Sequence, residues 1–338
     1  MKLPPFKRLL KWLLIVTVVM VLIGGSVGLG VWYIYYKPTL SVDLAMSDGT
    51  PLKTYVFNPD GEGPWPVILI RTPYPFSMMV SIMPPSRYTD GEYSYVLQSC
   101  RGTGKSGGEY YPFSHARADA QDTLDWLVTQ PFCDGNIGLS GVSAMGITAN
   151  MTASLQHTAV KAAFVSMAPQ SSFSESTFIG GVFKENQVST WMAMQDAEDE
   201  VEGLRARPVW DEQWRELDFS GYLSKVNIPV YNVGGWYDIF LRGNLENFVY
   251  LQEQGVEGAK GLQKLSVGAF GHLPISGELD YPKLDTKFGP MMGNDELRWF
   301  DYWLKGVNNG IMDEPPVKYY LMAAARGDKV SKKNRVIE

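Results

Sequence analysis

The feature that most constrains the fold is Gly138-Leu-Ser-Gly-Val-Ser143-Ala-Met-Gly146, a short apolar strand running into a glycine-flanked serine and then into a helical pattern. A strand that reverses sharply into a helix forces its apex residue into strained backbone angles and demands small neighbours. Gly141 and Gly146 supply that room. This is the form of a nucleophile elbow, whose usual pattern is G-x-S-x-G. Here the spacing is G-x-S-x-x-G, with Met145 where the second glycine normally falls. Taken alone, the nonapeptide is equally a serine-rich turn, and the segments around it must decide.

Ahead of it, Leu40 to Met46 and Leu52 to Phe57 alternate around Ser47-Asp-Gly-Thr50, which predicts an antiparallel hairpin at a sheet edge. Pro66-Val-Ile-Leu-Ile70 is a continuous apolar run, as in a strand buried on both faces, and ends in Arg71-Thr-Pro-Tyr74. A further strand, Tyr93 to Gln98, ends in the glycine-rich stretch Ser99 to Gly108. Gly104-Lys105-Ser106 matches the tail of a phosphate-binding loop, but Ser99 replaces the first glycine and Gly107, Gly108 and Pro112 prevent a helix from opening. The stretch reads as a tight loop near an active-site rim, and no nucleotide or other cofactor is expected. Ala120, Leu124, Leu127 and Val128 recur at helical spacing within 116–130.

Strands alternating with helices imply an α/β fold with a mostly parallel sheet, and Ser143 then lies at the carboxyl end of a central strand, where such sheets hold ligands. Residues 169–225 lose strand periodicity. They carry Trp191, Trp210, Trp214, Met192, Met194 and the acidic cluster Asp196 to Glu202. A helical cap is expected, its aromatics either lining a substrate pocket or holding the cap together. The acidic cluster is a solvated helix face or a carboxylate for a substrate's ammonium. Strand patterns return at Ile228 to Val233, ending in Gly234-Gly-Trp-Tyr-Asp238, and at Lys264 to Gly268, ending in Ala-Phe-Gly-His272. The order Ser143, Asp238, His272 is that of an α/β-hydrolase. A serine hydroxyl needs an imidazole to take its proton, and the imidazole needs a carboxylate to set its tautomer. His115 and His157 lie in loop or surface contexts, which leaves His272 as the base. The backbone N–H of Ala144 is the first expected oxyanion donor, and Tyr74 the second, through its hydroxyl or a nearby backbone N–H.

The chain of 338 residues has a net charge of −6, yet residues 1–37 hold five basic and no acidic side chains. The remainder carries 25 basic against 36 acidic side chains, a net −11, which repels a phosphate backbone and argues against nucleic-acid binding. Trp12 to Tyr36 runs without a charge. As a helix at about 1.5 Å per residue it spans a bilayer. Basic residues ahead of it place the N-terminus in the cytoplasm and the body outside, on an uncleaved membrane anchor. Two cysteines at opposite ends of parallel strands predict no disulfide, and three scattered histidines predict no metal site.

These segments together resemble the cocaine esterase / X-Pro dipeptidyl-peptidase (CocE/NonD) family of serine hydrolases. The resemblance rests on Ser47-Asp-Gly, Arg71-Thr-Pro-Tyr74, Cys100 to Glu109, Cys133 to Ser143, Gly235-Trp-Tyr-Asp238, Gly271-His272 and Leu297 to Gly306, across most of residues 39–320. It implies Ser143 as nucleophile, Asp238 as orienting acid, His272 as base and the Tyr74 hydroxyl as oxyanion donor. The G-x-S-x-x-G spacing also occurs in that family. Ala144 stands where the family often has tyrosine. The family usually continues into a C-terminal β-sandwich, and Pro315 to Met322 resembles its first strand.

The expected organisation is therefore an anchor at 1–37, an α/β-hydrolase core at 39–168 and 226–312, a cap at 169–225, and the start of a truncated β-domain at 313–338. The expected activity is acyl-enzyme hydrolysis of a small ester, an amide or a short peptide outside the cytoplasm. The alternatives are an X-Pro dipeptidyl-peptidase and a non-catalytic binding protein.

Overall fold

The structure, a computed structural model, describes residues 36–272, 294–321 and 336–337. The chain divides into two units, Met1–Thr39 and Leu40–Glu338, and the fold that follows is that of the second. The expected anchor falls almost wholly outside the described residues. Among those described, no helix is long and apolar enough to cross a membrane.

Strands β1 (Leu40–Ala45) and β2 (Pro51–Phe57) form the expected edge hairpin. Gly49 takes a positive φ of 84°, and the Thr50 N–H donates to Asp48 Oδ1 at 2.9 Å. Next come β3 (Trp65–Thr72), β4 (Ser94–Ser99), β5 (Cys133–Val142), β6 (Val160–Ser166), β7 (Val230–Tyr237) and β8 (Lys264–Gly271). These six run parallel in the order β4-β3-β5-β6-β7-β8, and the hairpin joins antiparallel through β2 to β4.

The central strands are apolar throughout because both faces are covered. Val67 and Leu69 share one core cluster with Leu124 and Leu127 of helix Ala116–Leu127 and Ile147 of helix Ala144–Ala153. Ile68 lies on the other face beside Phe300 of helix Asp295–Lys305. Trp299 of that helix is fully buried and donates its Nε1–H to the Ala163 carbonyl at 3.0 Å. A buried ion pair ties the same helix to the segment Ser86–Thr89, and a hydrogen bond from Ser140 ties it to the elbow strand. Glu296, fully buried, accepts from Arg87 Nε at 2.9 Å, Tyr88 Oη at 2.9 Å and Ser140 Oγ at 2.5 Å.

Three expectations are adjusted by packing. The glycine-rich loop is held to the hairpin and not to the active-site rim. The Gly107 N–H donates to Pro51 O, and Arg101 bonds Asp48, Thr50 and Asp119. Only Pro112 and Phe113, past the loop, reach the substrate cavity. The strand expected to open a separate β-domain is instead β9 (Val317–Tyr320), parallel to β8 in the main sheet, with Val317 beside Leu265. Val317 and Tyr319 pack against Leu265, Val267 and Phe248, and that apolar contact recruits the strand. A short β10 (Val336–Ile337) pairs antiparallel outside it. Finally, the cap's own apolar cluster includes Val188, Met192, Leu204, Trp214 and Leu217, whereas Phe219 and Leu223 pack into the main core, so the cap's independent packing stops short of residue 225.

Cys100 and Cys133 are free thiols at opposite ends of their strands, and burial pushes the Cys100 thiol up to about 11.

Candidate active site

Ser143 sits at the turn from β5 into helix Ala144–Ala153 with φ 57° and ψ −123°, a strained conformation for a residue with a side chain. Its N–H donates to Ser166 O at 2.9 Å, which pins the turn to β6. The unusual glycine spacing has a direct cause. A Cβ on Gly141 would sit 2.2 Å from the Met145 carbonyl oxygen, and one on Gly146 would meet Ala168 Cβ at 2.7 Å. The helix therefore crosses β5 at Gly141 and β6 at Gly146, and Met145 occupies a position where its side chain is free to leave the crossing.

Asp238 and His272 come to Ser143 because β7 and β8 end on the same edge of the sheet as β5. Ser143 Oγ lies 2.8 Å from His272 Nε2, and His272 Nδ1 lies 2.9 Å from Asp238 Oδ2. The Asp238 side chain is fully buried, and its other oxygen accepts the Phe240 N–H at 2.6 Å. An ionised carboxylate only accepts, so Nδ1 carries the imidazole hydrogen and Nε2 faces Ser143 as an acceptor. Phe240 packs edge-on against His272 with ring centroids 5.1 Å apart, fixing the ring plane. His115 is exposed and His157 faces Asp125, so neither joins the site.

Both expected oxyanion donors border the same cavity as Ser143. Ala144 is the first residue of its helix, where backbone N–H groups have no intrahelical acceptor. Tyr74's own backbone N–H is spent on Thr72 Oγ1 at 3.0 Å, while its hydroxyl accepts from Trp191 and the residue lines the cavity beside Ser143. Burial pushes the Tyr74 phenol up, with hydrogen bonds to Trp191 and Ser143 pulling the other way, so the hydroxyl keeps its proton as a donor.

A residue pair that sequence reading does not link completes this side. The cap's Trp191 Nε1–H donates to Tyr74 Oη at 3.2 Å across a sequence separation of 117. Because Trp191 occupies a lone pair of Oη, the Tyr74 hydrogen is left to point at the reacting centre. Trp191→Phe keeps the ring, stacked on Phe113 at 5.7 Å, and removes only that donor. Its expected effect is a fall in kcat of about three- to tenfold with little change in KM, the worth of one hydrogen bond. A raised KM with unchanged kcat would instead assign Trp191 to substrate packing.

The cavity above Ser143 has a volume of about 450 Å³ and runs under the cap. Both readings of the cap aromatics hold, for different residues: Trp191, Trp214 and Met194 line the cavity, whereas Met192 is buried in the cap cluster and Trp210 stacks edge-on to Phe173. The acidic residues Asp196, Glu198, Asp199 and Glu202 are exposed and none lines the cavity, which is the solvated-face reading. Among the described residues no group of His, Cys, Asp and Glu is arranged to hold a metal ion.

The profile of the family described as X-Pro dipeptidyl-peptidase (S15 family) matches residues 48–207 and 194–274. A cocaine esterase from Rhodococcus sp. (strain MB1 Bresler) is 26% identical over 345 residues, covering 85% of this chain and 58% of its own length. Among solved structures, a CocE/NonD family hydrolase from Staphylococcus aureus superposes with a TM-score of 0.67 at 23% identity, over 84% of this chain and 53% of that one. An aminopeptidase from a marine sediment Thaumarchaeota archaeon gives a TM-score of 0.70 at 21% identity, over 86% and 57%. These two establish the shared fold. The chain spans about half the length of the curated relatives it matches.

Proposed function

The chain belongs to the X-Pro dipeptidyl-peptidase (S15) family, and from that premise we propose that it is a serine hydrolase opening an ester or amide bond through an acyl-enzyme on Ser143. The single observation that carries this reading is the continuous hydrogen-bonded chain Ser143–His272–Asp238. In it, Ser143 Oγ attacks the substrate carbonyl carbon while His272 Nε2 takes its proton. Asp238 stabilises the imidazolium through Nδ1–H. The carbonyl oxygen, now negative, accepts from the Ala144 N–H and the Tyr74 hydroxyl. Collapse breaks the bond to the alcohol or amine, which leaves with the proton from Nε2. Water, deprotonated by the same nitrogen, then releases the acid and restores Ser143.

The charge-free run from Trp12 to Tyr36 behind four basic residues supports a membrane anchor with this domain outside the cytoplasm. A second reading, removal of X-Pro dipeptides, is favoured by the family match.

One experiment addresses both nucleophile and anchor. A fluorophosphonate probe is expected to label the full chain in the membrane fraction, and the label to withstand an alkaline wash. Deleting residues 1–37 should release labelled protein into solution. Ser143→Ala and His272→Ala should abolish labelling. Folded wild-type protein that fails to label would sink the catalytic reading, and labelled full chain recovered in the soluble fraction would sink the anchor.

A further inference from the structure

We propose that the site takes esters of an uncharged, apolar acyl group and discriminates against acyl groups bearing an α-ammonium. The inference rests on the serine-hydrolase reading above and deepens it. Among the described residues, the cavity lining holds no Asp, Glu, Lys or Arg. Its walls are made by Phe113, Met145, Val188, Trp191, Trp214 and Leu217, and its polar remainder is hydroxyls and amides such as Thr177 and Gln187.

Of the carboxylates around it, one is engaged and the others stand outside its lining. Both oxygens of Asp238 are taken, by His272 and the Phe240 N–H. Glu175 stands in the segment Ser172–Thr177 but does not line the cavity. Its Oε1 receives the Gln170 and Ser171 N–H groups at 3.3 Å, its Oε2 is buried without a hydrogen-bond partner among the described residues, and burial pushes its carboxyl up to about 7. The cap's acidic cluster faces solvent.

An ammonium drawn into such a chamber loses its water and gains no counter-ion from the described lining, and the cost of an unpaired buried charge far exceeds what a few hydroxyls return. An aliphatic or aryl-alkyl group loses nothing polar and gains the apolar walls. The cavity, about 450 Å³, has room for an acyl chain or an aryl-alkyl group. The exposed Met78, Ile82, Met194 and Ile239 carry the apolar surface outward to the mouth.

The test is a matched pair differing only in the charge: methyl 3-phenylpropanoate and phenylalanine methyl ester, with wild-type protein whose active sites are counted by fluorophosphonate labelling. At pH 6, below the usual α-amino range, the amine is protonated. There, kcat/KM for the desamino ester is expected to be at least about tenfold higher, up to the roughly fiftyfold set by the fraction of amine still neutral at that pH. The gap should narrow as pH rises through the amine's titration, because the neutral amine can enter. In a 4-nitrophenyl ester series, kcat/KM should rise by up to about fourfold per added methylene until the cavity fills.

Equal or better turnover of the amino ester at pH 6, or cleavage of phenylalanyl-proline 4-nitroanilide at a comparable rate, would overturn the inference while labelling upholds the serine hydrolase. Absence of labelling would remove the reading beneath it. A series that is flat or falls from acetate onward would also count against the apolar chamber.

Discussion

Replacing Asp238 by asparagine is expected to lower kcat by about four orders of magnitude with no comparable loss of stability. Asparagine is nearly the same shape, and its oxygen can still accept the Phe240 N–H that Asp238 Oδ1 accepts at 2.6 Å. Its amide nitrogen then faces His272 Nδ1, 2.9 Å away in the wild type, and donates where the carboxylate accepted. Nδ1 must become the acceptor, so the imidazole hydrogen moves to Nε2 and points at Ser143 Oγ. A ring in that tautomer cannot take the serine proton, and the imidazolium that would form has lost its buried counter-charge. Steady-state kinetics alongside a thermal melt decide the matter. A loss of less than about tenfold, with the melt unchanged, would mean that Asp238 does not orient the base.

Glu296→Gln should give the largest loss of stability. Glu296 is fully buried and accepts from Arg87, Tyr88 and Ser140 at once. Removing its charge takes from the buried Arg87 guanidinium, at 3% exposure, the counter-charge that Glu296 supplies. Breaking a buried pair on one side costs about 3–5 kcal/mol, and in a domain this large that corresponds to a Tm lower by roughly 10 °C. The double variant Arg87→Met with Glu296→Gln should recover much of the loss, because neither charge of the pair remains. If the single variant melts within about 2 °C of wild type, the pair is not what secures helix Asp295–Lys305 to the body of the domain. Ser140 lies three residues before Ser143 on β5, so a loosened network would also be read as a broader activity loss on heating.

Much of the site was legible because open parallel sheets gather chemistry at one edge. Ser143, Asp238 and His272 each follow an apolar run that could only be a buried strand, and parallel strands ending together bring their next residues together. The hairpin was equally plain, since its alternation and the Asp48-Gly49 turn are local signals. Tyr74 could be nominated but its atom could not: the bond that takes up its own N–H, to Thr72, appears only in the tertiary structure. The same limit explains the glycine-rich loop, whose composition announces a tight turn but whose partner, the β1–β2 hairpin, lies some fifty residues earlier.

The cap shows where local reading stops. Its aromatics and acids carry no periodicity that says which side faces the substrate, and the division between Trp191 and Trp214 on the cavity and Trp210 outside it follows from how short helices fold over one another. Pro315 to Tyr320 has the β-propensity of any edge strand, and its place beside β8 comes from the apolar partners Leu265 and Val267.

Sequence by itself determined the α/β architecture, the elbow and the order of Ser143, Asp238 and His272, because those follow from periodicity and backbone sterics within a few residues. The tertiary structure alone decided the Trp191–Tyr74 bond, the burial of Glu296 against Arg87 and the absence of charge in the described cavity lining. Each of these joins side chains more than a hundred residues apart or depends on which face of the cap turns inward, and such contacts are set by packing, which no short stretch of chain encodes.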